Sequence, residues 1–201
     1  MNLTVKQEQI LDAAIRRLSH FGVNKTTLTE IAEDLQMTKQ ALMYHYHDKQ
    51  QLIASVTKKI SGEYIETLNG ILDQATSARA AFLSLIDMRQ HFFSKYHLLF
   101  IQLNNADLIR EPGIEAIRNE TKQAETGLLT QKIEVSIRKG EIRPTNSLNT
   151  VNLILEAITS MAICLGKQCP PPDQSEIDSL IYKQKALIEL MFDGLKTEKS
   201  I

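Results

Sequence analysis

Thr38-Lys39-Gln40-Ala41-Leu42-Met43-Tyr44-His45-Tyr46-His47-Asp48-Lys49 is the stretch on which the fold turns. Thr38 is placed to cap a short helix running from Lys39 to about Tyr46. Leu42 and Tyr46 stand four apart, so both can face inward and seat that helix. Lys39, Gln40 and Met43 then point elsewhere, near its N-terminal half. Tyr44, His45 and Lys49 carry donors able to reach phosphate oxygens. Asp48 can cap a further helix opening at Lys49, whose positive dipole end favours anions.

The same spacing extends upstream. Ile10, Leu11, Ala14, Ile15, Leu18 and Phe21 recur every three to four residues, the pattern of an amphipathic helix, and Gly22 follows where a cap would end it. Thr26 and Thr27 offer a cap for a short second helix carrying Ile31, Ala32 and Leu35, with Glu30 near its start. Gln36-Met37 makes a tight connection into the quoted helix. Two short helices joined this closely have helix-turn-helix geometry, in which the second fits the major groove of DNA. Taken alone, such a hairpin is more often plain surface structure, with Tyr44 and Tyr46 as packing and His45 and His47 solvated.

Downstream, the spacing predicts a long helix from Lys49 towards Ile71 and another over 78–100. A broken one follows from Asn104, interrupted at Glu111-Pro112-Gly113. Further helices are expected over 114–139, closed by Gly140, over 148–165, and over about 175–196. No convincing strand or repeat is visible. The expected fold is all-α, with about nine helices. Residues 1–48 are expected to form a three-helix domain with the helix-turn-helix, and residues 49–201 a second, all-helical domain.

Composition narrows the function classes. The chain has 201 residues, 43% hydrophobic and 23% charged, which suits a soluble globular protein. Its formal net charge of −1 does not announce a nucleic-acid binder. The first fifty residues are also balanced: Lys6, Arg16, Arg17, Lys25, Lys39 and Lys49 face Glu8, Asp12, Glu30, Glu33, Asp34 and Asp48. Any DNA argument therefore rests on where the charges sit. Cys164 and Cys169 are too few for a disulfide framework and have no nearby partners for zinc. His45 and His47 lie about 200° apart around a helix, and His91 and His97 about 120°, so neither pair suits a shared metal. No metal, cofactor or catalytic residue is expected; no phosphate loop, HExxH or nucleophile pattern appears. With no secretory pattern at the N-terminus, and apolar runs such as 98–103 too short to span a bilayer, a cytoplasmic protein without membrane attachment is expected.

Taken together, Ile10-Leu11-Asp12-Ala13-Ala14, Phe21-Gly22, Thr26-Thr27-Leu28, Glu30-Ile31-Ala32, Thr38-Lys39, Leu42, Tyr44-His45-Tyr46 and Lys49 resemble the N-terminal domain of the tetracycline-repressor (TetR) family. The resemblance covers about a quarter of the chain, from Gln9 to about Ile53. It implies phosphate contacts from Thr27, Thr38, Tyr44, His45 and Lys49, and places Thr29, Lys39, Gln40 and Met43 nearest the bases. Two positions depart from the family's usual pattern. Gln40 stands where glycine is frequent, and Met43 where tyrosine is usual. Gln40 is able to read adenine bidentately, and Met43 to touch a thymine methyl.

The resemblance further implies a transcriptional repressor, released from a palindromic operator by a small molecule. A single reader covers few base pairs, so a homodimer is expected, through the helices at 148–166 and 175–196. Residues 148–165 carry more apolar area than one side of a helix buries internally. For the effector, the pocket candidates are Tyr64, Met88, Arg89 and Phe92 with Tyr96, Gln102, Asn105 and Met161. Arg89 lies amid apolar residues and needs a partner, either Glu156 or another carboxylate, or an acidic ligand. The competing functions are a DNA-bound adaptor that recruits another protein, and an all-helical enzyme.

Overall fold

The computed structural model describes residues 4–103, 111–166 and 173–197. Among them are eight helices: α1 (Val5–Phe21), α2 (Leu28–Asp34), α3 (Lys39–His45), α4 (Lys49–Gln74), α5 (Ala78–Leu103), α6 (Pro112–Arg138), α7 (Ser147–Gly166) and α8 (Gln174–Leu195). The all-α expectation holds. The ninth helix was anticipated from Asn104, and residues 104–110 lie outside the described set. The nearest approach to a strand among the described residues is a single bridge between Ile142 and Lys196.

The chain divides into two compact units. The first comprises residues 1–64 and 92–121, the second residues 65–91 and 122–201.

In the first unit the helix ends follow from local chemistry. Thr4 and Gln7 form a capping box at the start of α1, and Gly22, at φ 82°, ends that helix. Ile10, Leu11, Ala14 and Leu18 on α1 pack in one core with Ile31, Leu42, Leu52, Ile53 and Val56, all essentially buried. That apolar cluster, contributed by four helices, supplies the main stabilisation of the reader's frame.

The turn between α2 and α3 is a Schellman motif. The Met37 amide donates to the Ala32 carbonyl at 3.0 Å and the Gln36 amide to the Glu33 carbonyl at 3.0 Å. Gln36 takes the left-handed conformation, φ 53°, usually left to glycine.

In the second unit Leu68, Phe82, Leu85, Ile86, Leu129, Ile133, Ile154, Ile158 and Ile188 make the core, and the Phe82 and Phe192 rings meet at 5.5 Å. The Lys132 ammonium caps the end of α4, donating to the carbonyls of Leu72 and Ala75 at 2.7 and 2.8 Å. The buried Gln184 amide donates to the Ile158 carbonyl at 2.8 Å, tying α8 to α7.

Candidate DNA-binding surface

The recognition candidate α3 is seated by Leu42 and Tyr46, both buried, as their four-residue spacing predicts. Thr38 caps it, with its hydroxyl oxygen accepting from the Ala41 amide at 3.1 Å. Lys39, Gln40, Met43 and Tyr44 are all exposed, Tyr44 to 87%. The Tyr44 ring meets His45 edge to face at 5.4 Å, so the two donors expected at the helix edge stand together. This outward face of Lys, Gln, Met and Tyr carries no acid.

The balanced charge of the first fifty residues resolves by position. Arg17 holds Asp34 through Nε at 2.7 Å and Glu30 through a terminal nitrogen at 3.3 Å. Lys59 holds Asp12 at 2.6 Å. Asp48 accepts the Gln51 amide at 2.7 Å as the cap of α4. Four acids are thereby committed to partners, and α3 itself contains none.

Two expected phosphate anchors are engaged elsewhere in the free chain. The Thr27 amide and hydroxyl both donate to Glu30 Oε2, at 2.8 and 2.9 Å, while the Thr27 hydroxyl oxygen accepts the Glu30 amide. This capping box was foreshadowed by the Thr-x-x-Glu spacing. The Lys49 ammonium donates to the Val23 carbonyl at 2.6 Å, pinning the α1–α2 loop to the start of α4. Burial pushes the lysine below its ordinary value, and the charge of Glu30 opposes that shift. Sequence spacing gave no sign of the Lys49 contact, because its acceptor is a backbone atom 26 residues away. Thr29 is exposed on the first turn of α2.

A match to the family model described as bacterial regulatory proteins, tetR family, covers residues 10–56 and so spans all of α2 and α3. Its N-terminal region is thus similar to the DNA-binding domain of that family. Among curated relatives, the HTH-type transcriptional regulator YhgD of Bacillus subtilis is 23% identical over 185 residues, 88% of this chain and 92% of its own length. The IcaR protein of Staphylococcus epidermidis, named as a negative transcriptional regulator of the biofilm operon icaADBC, is 26% identical over 116 residues, 58% of this chain and 59% of its own. A transcriptional regulator from Cytophaga hutchinsonii shares the fold at a TM-score of 0.85 and 23% identity, over 96% of this chain and all of its own. The present chain is accordingly a DNA-binding transcriptional regulator.

The pocket candidates of this regulator fall into different units. Tyr64, Phe92 and Tyr96 come together in the first: Tyr64 and Phe92 at 5.3 Å, Phe92 and Tyr96 at 5.9 Å. Their setting includes Glu63, which sequence reasoning missed. Its carboxylate accepts from the Tyr96 hydroxyl at 2.7 Å and the Lys95 ammonium at 2.6 Å. Burial raises the Tyr96 hydroxyl above the ordinary tyrosine range.

Met88 is buried in the second unit, and Met161 is half-buried there on α7. Arg89 has its carboxylate partner, Glu125, whose two oxygens it reaches at 2.8 and 2.9 Å, and Thr159 lies at 3.3 Å. Glu156, the other candidate, is exposed. A signal for Glu125 was present: Glu125, Leu129 and Ile133 are four apart along one buried stripe of α6. The Gln102 side chain and Asn105 lie outside the described residues.

On α7 and α8 a broad apolar surface stays uncovered. Leu153 and Ile163 on α7, with Tyr182 and Leu190 on α8, are exposed to 52%, 51%, 75% and 71%. By length and composition alone residues 147–165 suffice to cross a bilayer, yet only 28% of them are buried in the chain.

Proposed function

We propose that this regulator is a repressor that reads a palindromic operator as a homodimer and is released by a small molecule. The observation that carries the reading is the outward face of α3, where Lys39, Gln40, Met43 and Tyr44 stand exposed on a helix seated by Leu42 and Tyr46. In this reading residues 1–48 bind DNA and residues 49–201 sense and dimerise. Thr27, Thr38, Tyr44, His45 and Lys49 meet phosphates, while Thr29, Lys39, Gln40 and Met43 approach the bases.

Dimerisation runs through the helices at 148–166 and 175–196. Leu153, Ile163, Tyr182 and Leu190 support it: a set of large apolar side chains left open on two adjacent helices is a surface suited to a second copy. As a protein that acts on DNA, the regulator is in this reading cytoplasmic. The effector enters among Tyr64, Phe92 and Tyr96 or near Met88, Arg89 and Met161, with Gln102 and Asn105 as further candidates. It acts by favouring a dimer geometry that mismatches the two readers to their half-sites.

Selection of bound sequences from random duplex DNA, at physiological salt, tests the reading. The expected product is a palindrome with half-sites one helical turn or a multiple apart (~34–36 Å per turn). Gln40→Ala should then relax preference at one base position, by about 1–3 kcal/mol of discrimination. A folded protein that enriches no sequence with or without candidate effectors would defeat it.

A further inference from the structure

We propose that Arg17 is a positioning residue for DNA binding: it gathers the Glu30 and Asp34 charges of α2 against α1 and so keeps them from opposing the phosphate backbone. The inference rests on the reading of α2 and α3 as the DNA-facing elements.

The geometry is specific. Glu30 and Asp34 are four apart on α2, and the Arg17 guanidinium spans that turn, touching both. A second contact to Asp34, through the other terminal nitrogen at 3.3 Å, makes that pair a fork. The Phe21 ring lies 5.4 Å beneath the guanidinium, and the Arg17 side chain is only 19% exposed. Arg17 is thus held on its own helix as well as by its partners.

Glu30 divides its oxygens between two tasks. Oε1 faces Arg17, and Oε2 receives both donors of Thr27 at the start of α2. The hydrogen bonds from Thr27, and then the Arg17 charge, hold its carboxyl below the ordinary range; the Arg17 hydrogen bond does the same for Asp34. Both acids are therefore ionised at neutral pH. One anion sits in the first turn of the helix whose start is to receive a phosphate. Repulsion between carboxylate and phosphate is long-ranged at low salt and fades as the ionic atmosphere thickens. Arg17 cancels it at its source, and with a fixed geometry that a mobile counterion lacks.

The alternative is that Arg17 merely staples α1 to α2. Variants of equal net charge separate the two. Binding of the full-length protein to a random-sequence duplex is measured between about 0.05 and 0.3 M salt, with helicity and Tm recorded for each variant. Arg17→Gln should weaken binding about three- to tenfold at the lower salt, with the deficit shrinking as salt rises. Adding Glu30→Gln and Asp34→Asn should restore affinity to within about twofold; glutamine still closes the capping box with Thr27. Adding Glu8→Gln and Glu33→Gln instead gives the same net charge and should restore much less.

Equal rescue by both pairs would reduce the effect to net charge and overturn the proposal. No rescue by Glu30→Gln with Asp34→Asn, in a folded protein, would leave Arg17 a staple and overturn it too. If Arg17→Gln itself unfolds, the Glu30→Gln/Asp34→Asn protein with Arg17 intact still decides: it should bind more tightly than the Glu8→Gln/Glu33→Gln protein, and equality overturns. A wild-type protein that binds no duplex at any salt removes the DNA-facing reading itself, which is a different failure.

Discussion

Gln36 occupies a backbone position where a side chain is a liability, since the Schellman turn between α2 and α3 sets its φ at 53°. Replacing it with glycine should stabilise the protein by about 1 kcal/mol, a rise in Tm of roughly 2–4 °C for a chain of this size. An unchanged or lower Tm in a thermal melt would show that the Gln36 side chain makes up the deficit. At this scale the sequence was readable wherever one residue's partner lies a helical turn away. Leu42 with Tyr46, Thr38 with Ala41, Asp48 with Gln51 and Gly22 at the end of α1 were each visible from spacing. Lys49 was visible only as a cation. Its carbonyl acceptor at Val23 depends on how the α1–α2 loop returns past α4, which no local pattern encodes.

Along whole elements, helix positions were recovered to within a few residues, because apolar periodicity and end caps act locally. What periodicity concealed is the break inside α5. Tyr96 adopts φ −124° and ψ 19°, outside the helical region, although 78–103 runs as one helix by its hydrogen bonds. No proline or glycine marks the place. The break coincides with a tertiary contact, the Tyr96 hydroxyl on Glu63 of α4, within the first unit. Tyr96→Phe removes that hydrogen bond and should cost about 1 kcal/mol, with faster amide exchange around residue 96 and no loss of DNA-binding surface. If Tm and exchange both stay at wild-type levels, the hydroxyl does not hold the break. The pocket candidates show the same limit. Tyr64, Phe92 and Tyr96 lie together in the first unit, whereas their neighbour Glu63 emerged only once helices were packed.

At the scale of the molecule, the sequence signalled an apolar excess over 148–165 but not which side chains would carry it outward. Val151, Ile154 and Ile158 turn into the core, while Leu153 and Ile163 remain outside. Leu190→Glu and Leu153→Glu together place charges on the proposed dimer surface without touching a buried residue. Sedimentation should find a monomer of unchanged helicity, with affinity for a two-half-site operator reduced at least about tenfold. A double variant that still sediments as a dimer would move the interface elsewhere.

The uncovered side of α7 has a further consequence for the life of the chain. A polypeptide leaving the ribosome presents 147–165 before any second copy has arrived, and by length and composition alone this segment suffices to cross a bilayer. On the dimer reading, the interval between release and pairing is then a race among partner, chaperone and bilayer, whose outcome depends on how many copies one burst of translation delivers. Production of the regulator in clusters from a single messenger favours pairing at birth, and scarcity favours proteolysis over idle monomers.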